Sequence, residues 1–184
     1  MATQLLDDTL LTAEQFLQID FGPDVKAELD NGVIRMMSGG TVTHAAIQSN
    51  FMRFLGMALR GSGCRAYGSD AAVRTSAASV RYPDVTVNCG TSRSEDKTLE
   101  NPRVVVEILS PSTRRYDLGV KLNEYRDLAT VETIVLVDPQ LEQVRVLQRT
   151  GPGAWTDTLF TEPADLELPS LGIVMPHAEI FADD

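Results

Sequence analysis

Hydrophobic and polar positions repeat along this chain with two different periods, and the places where the period changes mark its elements. Thr12-Ala13-Glu14-Gln15 reads as a capping box ahead of a short helix that buries Phe16 and Leu17, and Pro23 ends the connection that follows. Strand-like runs at 25–29 and 33–37 flank Asp30-Asn31-Gly32. Asn-Gly between two such runs predicts a hairpin, because both turn residues tolerate positive φ. From Thr43 and His44 the period becomes helical. Ile47, Phe51, Phe54, Leu55, Ala58 and Leu59 share one face until Gly61 and Gly63 stop the run. His44, in the first turn, reads as a surface or capping residue.

Period two then returns in strands at 64–67, 71–75 and 80–87. Within the last of these, Pro83 has no N–H to give a ladder, so the strand is entered there or lies on an edge. Residues 89–101 are polar and read as an exposed loop. Val104-Val105-Val106-Glu107-Ile108-Leu109 is nearly all β-branched or aliphatic, which predicts a strand covered on both faces with one charged residue, Glu107, inside it. Ser110-Pro111-Ser112-Thr113 breaks that strand and can cap a helix over 114–129. On the wheel of that helix Leu118, Leu122, Tyr125 and Leu128 form an apolar arc, and Lys121 falls within the arc. A lysine there either bends its stem out to water or points its ammonium into a polar pocket. An ordinary i, i+4 pair with Asp117 is the competing reading. A buried-type strand at 132–137, antiparallel strands at 144–147 and 155–160, a short turn-rich stretch at 166–174 and a helical turn at 176–181 complete the chain.

With 184 residues and no repeat or linker, a single domain spanning 1–184 is expected. No apolar run is long enough to span a bilayer, and residues 1–8 carry no basic stretch of a secretory signal. Cys64 and Cys89 are not in a C-x-x-C arrangement, and they read as reduced residues of a cytoplasmic protein. A net charge of −10 argues against nonspecific nucleic-acid binding, but the charge is unevenly spread. Between Arg60 and Arg126 there are 11 basic and 8 acidic residues, against 5 and 18 in the remainder.

The basic segment also holds the candidate chemistry. Asp84 and Glu107 sit in apolar surroundings, where an ionised carboxylate is costly without a partner. A hard divalent cation held by both acids, with the backbone carbonyl of Ile108 as a further ligand, would keep them ionised and neutralise phosphoryl oxygens. Lys121 would hold an attacking water and stabilise developing negative charge. Glu28 is a further metal-ligand candidate, with an exposed hairpin acid as its plainer reading.

Taken in order, Tyr82-Pro83-Asp84, residues 104–113, Asp117, Lys121-Leu122-x-x-Tyr125 and Leu136-Val137-Asp138-Pro139 resemble the Uma-type family of restriction-endonuclease-like proteins, within the PD-(D/E)XK nuclease superfamily. Glu28-Leu29-Asp30-Asn31-Gly32 and His44 extend the similarity to about residues 10–180. The resemblance implies an α/β (α+β) restriction-endonuclease-like fold: a mixed central sheet flanked by helices, an N-terminal hairpin and C-terminal antiparallel strands. It implies cleavage of DNA dependent on Mg2+ or Mn2+, and a homodimer. It maps the family's two acids to Asp84 and Glu107. Leu109 occupies the position two residues after Glu107 where the superfamily usually has a lysine, and in the Uma-type family that lysine comes from the following helix, here Lys121. The competing class is a noncatalytic binding or regulatory module on the same fold, favoured by the acidic balance.

Overall fold

The computed structural model describes residues 10–22 and 25–183. The readings of residues 1–8, Pro23 and the last residue, Asp184, lie outside them. Thr12 caps α1 (Ala13–Phe16) through the reciprocal box with Gln15. β1 (Ala27–Asp30) and β2 (Val33–Met36) form the hairpin, with Asn31 and Gly32 both at positive φ. α2 (Val42–Ala58) begins slightly earlier than the pattern suggests, because the Thr41 hydroxyl caps it by accepting from the His44 N–H. Ile47, Phe51 and Leu55 of α2 are buried, while Ala58 faces out. Asn50 lies on the same buried side and donates to the carbonyls of Ile180 and Ala182 at 3.2 and 2.9 Å.

Four strands follow: β3 (Cys64–Gly68), β4 (Val73–Ser76), β5 (Ser79–Arg81) and β6 (Val85–Cys89). The expected strand at 80–87 is therefore two strands, and Tyr82-Pro83-Asp84 is the break between them. After β7 (Pro102–Ile108) comes a bent helical segment: α3 (Arg114–Tyr116), a π-helical turn (Asp117–Lys121) and α4 (Leu122–Asp127). The chain ends with β8 (Thr133–Asp138), β9 (Gln143–Gly151), β10 (Ala154–Phe160), β11 (Leu166–Leu168), β12 (Ile173–Met175) and α5 (His177–Ile180).

The break at Pro83 moves the chain from one sheet to another. β5 belongs to a four-stranded sheet ordered β2-β1-β5-β4, and β6 to a six-stranded sheet ordered β10-β9-β8-β7-β6-β3. The large sheet is mixed: β7 and β8 are parallel, joined by the bent helical segment, and its other pairs are antiparallel. Side chains on this sheet alternate between two cores. Val85, Val87, Val104, Val106, Val135 and Val137 pack with α2, while Val105, Ile134, Leu136 and Leu147 pack with Leu122 and Tyr125 of α4. Burial of each such side chain contributes about 1.5–3 kcal/mol. A third cluster joins Phe16 of α1 to Leu29 and Val80 of the small sheet. No helix among the described residues is long and apolar enough to cross a membrane.

The cysteines correct the sequence reading. Cys64 and Cys89 are directly paired partners in the β3–β6 ladder, and they form a disulfide. Sequence spacing alone hides this, because the pairing depends on strand register. The bond fastens edge strand β3 to the strand that follows Asp84. Reduction is expected to lower stability by about 2–4 kcal/mol. Thermal melts with and without dithiothreitol check this, and equal melts would contradict it.

Candidate active site

The register of the large sheet explains how the two acids meet. Val85 opposes Val106 and Thr86 opposes Val105. With a side-chain period of two, Glu107 turns with Val105 to the face covered by α4, and Asp84, just before Val85, stands beside it at the end of the ladder. Asp84 sits in the break rather than in the ladder, so its carboxylate is free to make its own contacts. Its Oδ2 accepts from the Ile108 N–H at 2.7 Å, and its Oδ1 lies 2.9 Å from His44 Nε2. Gln48, one helical turn beyond His44 on α2, donates to the Asp84 carbonyl at 2.8 Å. Two residues of α2 thus fix both ends of Asp84.

Glu107, only 4% exposed, is held from the bent helix. Tyr125 donates its hydroxyl to Glu107 Oε1 at 2.6 Å, and Lys121 Nζ lies 3.3 Å from the same oxygen. Oε2 has no hydrogen bond among the described residues. Lys121 is 6% exposed, and its ammonium also lies 3.0 Å from Glu28 Oε1 and 3.4 Å from Asp117 Oδ1. The π-helical turn spans Asp117–Lys121, a local widening of a kind frequent at functional sites, and both of its end residues point inward. Glu28 comes from β1 and reaches the site through Lys121; it also accepts from the Tyr82 N–H at 3.1 Å. Ile108 contributes its N–H to Asp84. Leu109 uses its own N–H on the Val137 carbonyl at 2.8 Å.

Behind Glu28 lies a second charged knot. Arg81, with 0% exposure, reaches Glu124 at 2.6 Å, Asp30 at 3.0 Å and Glu28 at 3.6 Å. Its guanidinium also sits 5.2 Å from the centre of the Tyr116 ring. Burial opposes its charge, yet Glu124 and the other acids hold its pKa above the ordinary arginine value. Arg81 thereby fastens the small sheet to the bent helix that carries Lys121.

Charge in the cleft is out of balance. Glu28, Asp84, Glu107 and Asp117 face it or Lys121, the buried cation at their centre, while Lys26, the other lysine of its wall, is paired with Asp70. Burial pushes Glu107 up to about 8 against the pull of Lys121, and Asp84, Asp117 and Glu28 add to the rise. Burial also raises Asp117, again opposed by Lys121. For Lys121, burial would depress the ammonium, but Glu107, Glu28 and Asp117 outweigh it and hold the pKa above the usual lysine value. Three of these carboxylates, those of Glu28, Glu107 and Asp117, crowd one ammonium, and burial makes Glu107 hard to ionise. The hydrogen bond to Asp84 raises His44, with burial opposing.

This donor set fits a divalent cation. No group of three or more His, Cys, Asp or Glu among the described residues forms a ready cage. Mg2+, however, is commonly held by one or two carboxylates with water filling the rest of its shell. Glu107 Oε2 and the remaining lone pairs of Asp84 can supply two such bonds, and two positive charges would offset the carboxylate surplus. The cleft that these groups line has a volume of about 430 Å3, with His44, Ser110 and Thr113 among its walls.

The sequence reading missed His44, Gln48 and Tyr125 as partners of the acids. His44 and Gln48 stand four residues apart on one polar face of α2, which was a usable signal. Tyr125 stood in the Lys121-Leu122-x-x-Tyr125 motif, but its place in the apolar arc read as packing rather than as a bond to Glu107.

A family model described as "Putative restriction endonuclease", Uma2, matches residues 13–176. Two uncharacterized proteins of Synechocystis sp. are similar over most of their length. One is 28% identical over 165 residues, covering 89% of this chain and 87% of the relative. The other is 27% identical over 163 residues, covering 86% and 92%. Among solved structures, that of "a putative nuclease belonging to DUF820" from Anabaena variabilis superposes with a TM-score of 0.74 at 21% identity, covering 94% of this chain and 98% of that one. At that identity the likeness shows the restriction-endonuclease-like fold. With the family model matching most of its length, the chain belongs to the Uma2 family, described as putative restriction endonucleases.

Proposed function

We propose that this chain is a metal-dependent DNA endonuclease that hydrolyses phosphodiester bonds. Asp84, Glu107 and the carbonyl of Ile108 would hold Mg2+ or Mn2+, with Glu28 retained by Lys121 rather than by the ion. Such an ion, when bound, lowers the pKa of a water and neutralises phosphoryl oxygens. Lys121 keeps its ammonium charged although buried, and there it positions the attacking water and stabilises charge that develops on the phosphoryl group. Tyr125 and Lys121 orient Glu107, while His44 and the Ile108 N–H orient Asp84. Asp117 and Glu28 keep the ammonium aimed into the cleft. The observation that carries this reading is the convergence of Asp84, Glu107 and Lys121 on one recessed cleft.

A homodimer is part of the proposal. The exposed apolar residues Val33, Ile34 and Met36 on edge strand β2 support it, and sedimentation velocity checks it. The net charge of −10 favours the alternative, a noncatalytic scaffold. The test is incubation of EDTA-stripped protein with plasmid and single-stranded DNA under a titration of Mg2+ or Mn2+. Cleavage that needs the ion and is lost in Asp84→Asn with an unchanged circular dichroism spectrum is the expected result. No cleavage of either substrate with either ion would point to the scaffold.

A further inference from the structure

The cleft holding Asp84 and Glu107 is not isolated. Tyr82, from the break between the sheets, lines it and also lines a second, larger groove of about 600 Å3. A small depression walled by Lys26, Ser69 and Asp70 lies between the two, and Tyr82 borders this as well. Lys26 crosses it, with its ammonium 2.5 Å from Asp70 and 3.4 Å from the Ser69 hydroxyl. The second groove presents Arg65 and Tyr67 of β3 together with Arg93 and Lys97 of the 89–101 loop.

Strand register puts the two hollows on the same side of the molecule. Tyr67 opposes Thr86 and Arg65 opposes Asn88 in the β3–β6 ladder. Directly opposed residues share a face, and Thr86 in turn opposes Val105, which shares its face with Glu107 two residues on. Arg65 and Tyr67 therefore continue, along the sheet edge, the face that carries Glu107. Their chemistry is paired: the Arg65 guanidinium sits 5.7 Å from the centre of the Tyr67 ring. Arg65 is exposed and enters no ion pair among the described residues. Arg93 and Lys97 are already engaged, Arg93 with Asp96 at 3.0 Å and Lys97 with the Leu17 carbonyl at 2.6 Å. They frame the groove more than they supply free charge.

We infer that this groove, joined to the catalytic cleft past Tyr82, is the path of a single DNA strand, with a base stacked on Tyr67 and its phosphate met by Arg65. The inference rests on the nuclease reading and adds the form of the substrate. One consideration favours one strand over a duplex. A duplex carries a charge every ~1.7 Å along its axis, which an acidic protein repels; a single strand halves that density and exposes base faces to an aromatic ring such as Tyr67 in the groove wall.

The test is fluorescence anisotropy with a labelled 20-nucleotide oligo(dT) and a 20-base-pair duplex, in EDTA so that nothing is cleaved. The wild type is expected to bind oligo(dT) more tightly than duplex. Tyr67→Ala and Arg65→Glu should each weaken oligo(dT) binding by at least about fivefold. Arg65 is exposed, so Arg65→Glu remains informative should Tyr67→Ala fail to fold. Arg60→Glu makes the same charge change outside the groove and should alter affinity less than about twofold. Tighter duplex binding, or equal losses from Arg60→Glu and Arg65→Glu, would overturn the inference. If that happens while the wild type still cleaves DNA with Mg2+, the nuclease reading survives. If the groove variants weaken binding but no ion supports cleavage, the path stands and the nuclease reading fails. No binding of DNA by the wild type would sink both.

Discussion

Glu107→Gln is expected to make the metal-free protein more stable at pH 8 while reducing phosphodiester cleavage by roughly 10²- to 10³-fold. The two effects have opposite signs because the site concentrates charge that the fold alone does not want. Glu107 titrates near 8 in the folded chain, against an ordinary 4.5. Between those values the folded state holds a proton that the unfolded chain has released. Stability therefore falls as pH rises through that window, by an amount on the order of a few kcal/mol. His44 works in the same direction, since its raised pKa gives stability below the ordinary 6.5 that is lost as pH climbs past the folded value. Asp30 and Asp138 are lowered, so their contributions change only at more acid pH, below the usual 3.8. Gln keeps the shape and can still accept from Tyr125 and Lys121, so it removes the cost of the charge without opening a cavity. Denaturant melts of wild type and variant from pH 5 to pH 8 should converge at the acid end and separate at the alkaline end. Parallel curves would contradict the assignment of the buried charge to Glu107.

Lys121→Ala is expected to lose on both counts. Cleavage should fall by roughly 10²- to 10³-fold, since Lys26, the other lysine of the cleft wall, is paired with Asp70 rather than with the two acids. Stability should fall by about 3–5 kcal/mol near neutral pH, because Glu28, Glu107 and Asp117 are left facing one another in a buried space. The stability loss should grow as pH rises past about 8, where Lys121 favours the ionised Glu107 of the wild type and nothing does so in the variant. Adding Glu28→Gln to Lys121→Ala should restore part of the stability and none of the cleavage, since the two residues are in contact and their effects are not additive. A lysine merely paired along an exposed helix would show only a few tenths of a kcal/mol, and that result would remove Lys121 from the site.

These two residues also show how far the sequence could be read. Glu107 was legible because it is a lone charge in an unbroken β-branched run. Lys121 was legible because it falls inside an apolar arc. Neither signal says what the side chain touches. The π-helical turn at Asp117–Lys121 widens the helix locally, and a regular wheel cannot show that. Arg81 gave no sign at all: it lies in what reads as one strand over 80–87, and only the switch of sheets at Pro83 turns it into the buried link between Glu28 and Glu124. The Cys64–Cys89 bond was illegible for the same kind of reason, since it depends on which strands become neighbours. The hairpin, the Thr12 capping box and the buried strands survived because residues close in sequence fix them, whereas the cap expected from Ser112 or Thr113 did not form, the Thr113 hydroxyl meeting that of Ser110 instead. Contacts across the two sheets depend on register, which the sequence leaves open.

The most direct test is a crystal of the protein soaked in Mn2+ and measured at a wavelength where the ion scatters anomalously. An anomalous peak about 2.1 Å from oxygens of both Asp84 and Glu107, with the Lys121 ammonium still turned into the cleft, is the expected result. A fully soaked crystal with no peak there, or with Mn2+ bound only elsewhere on the surface, would contradict the claim that these acids and this lysine form one metal-dependent centre.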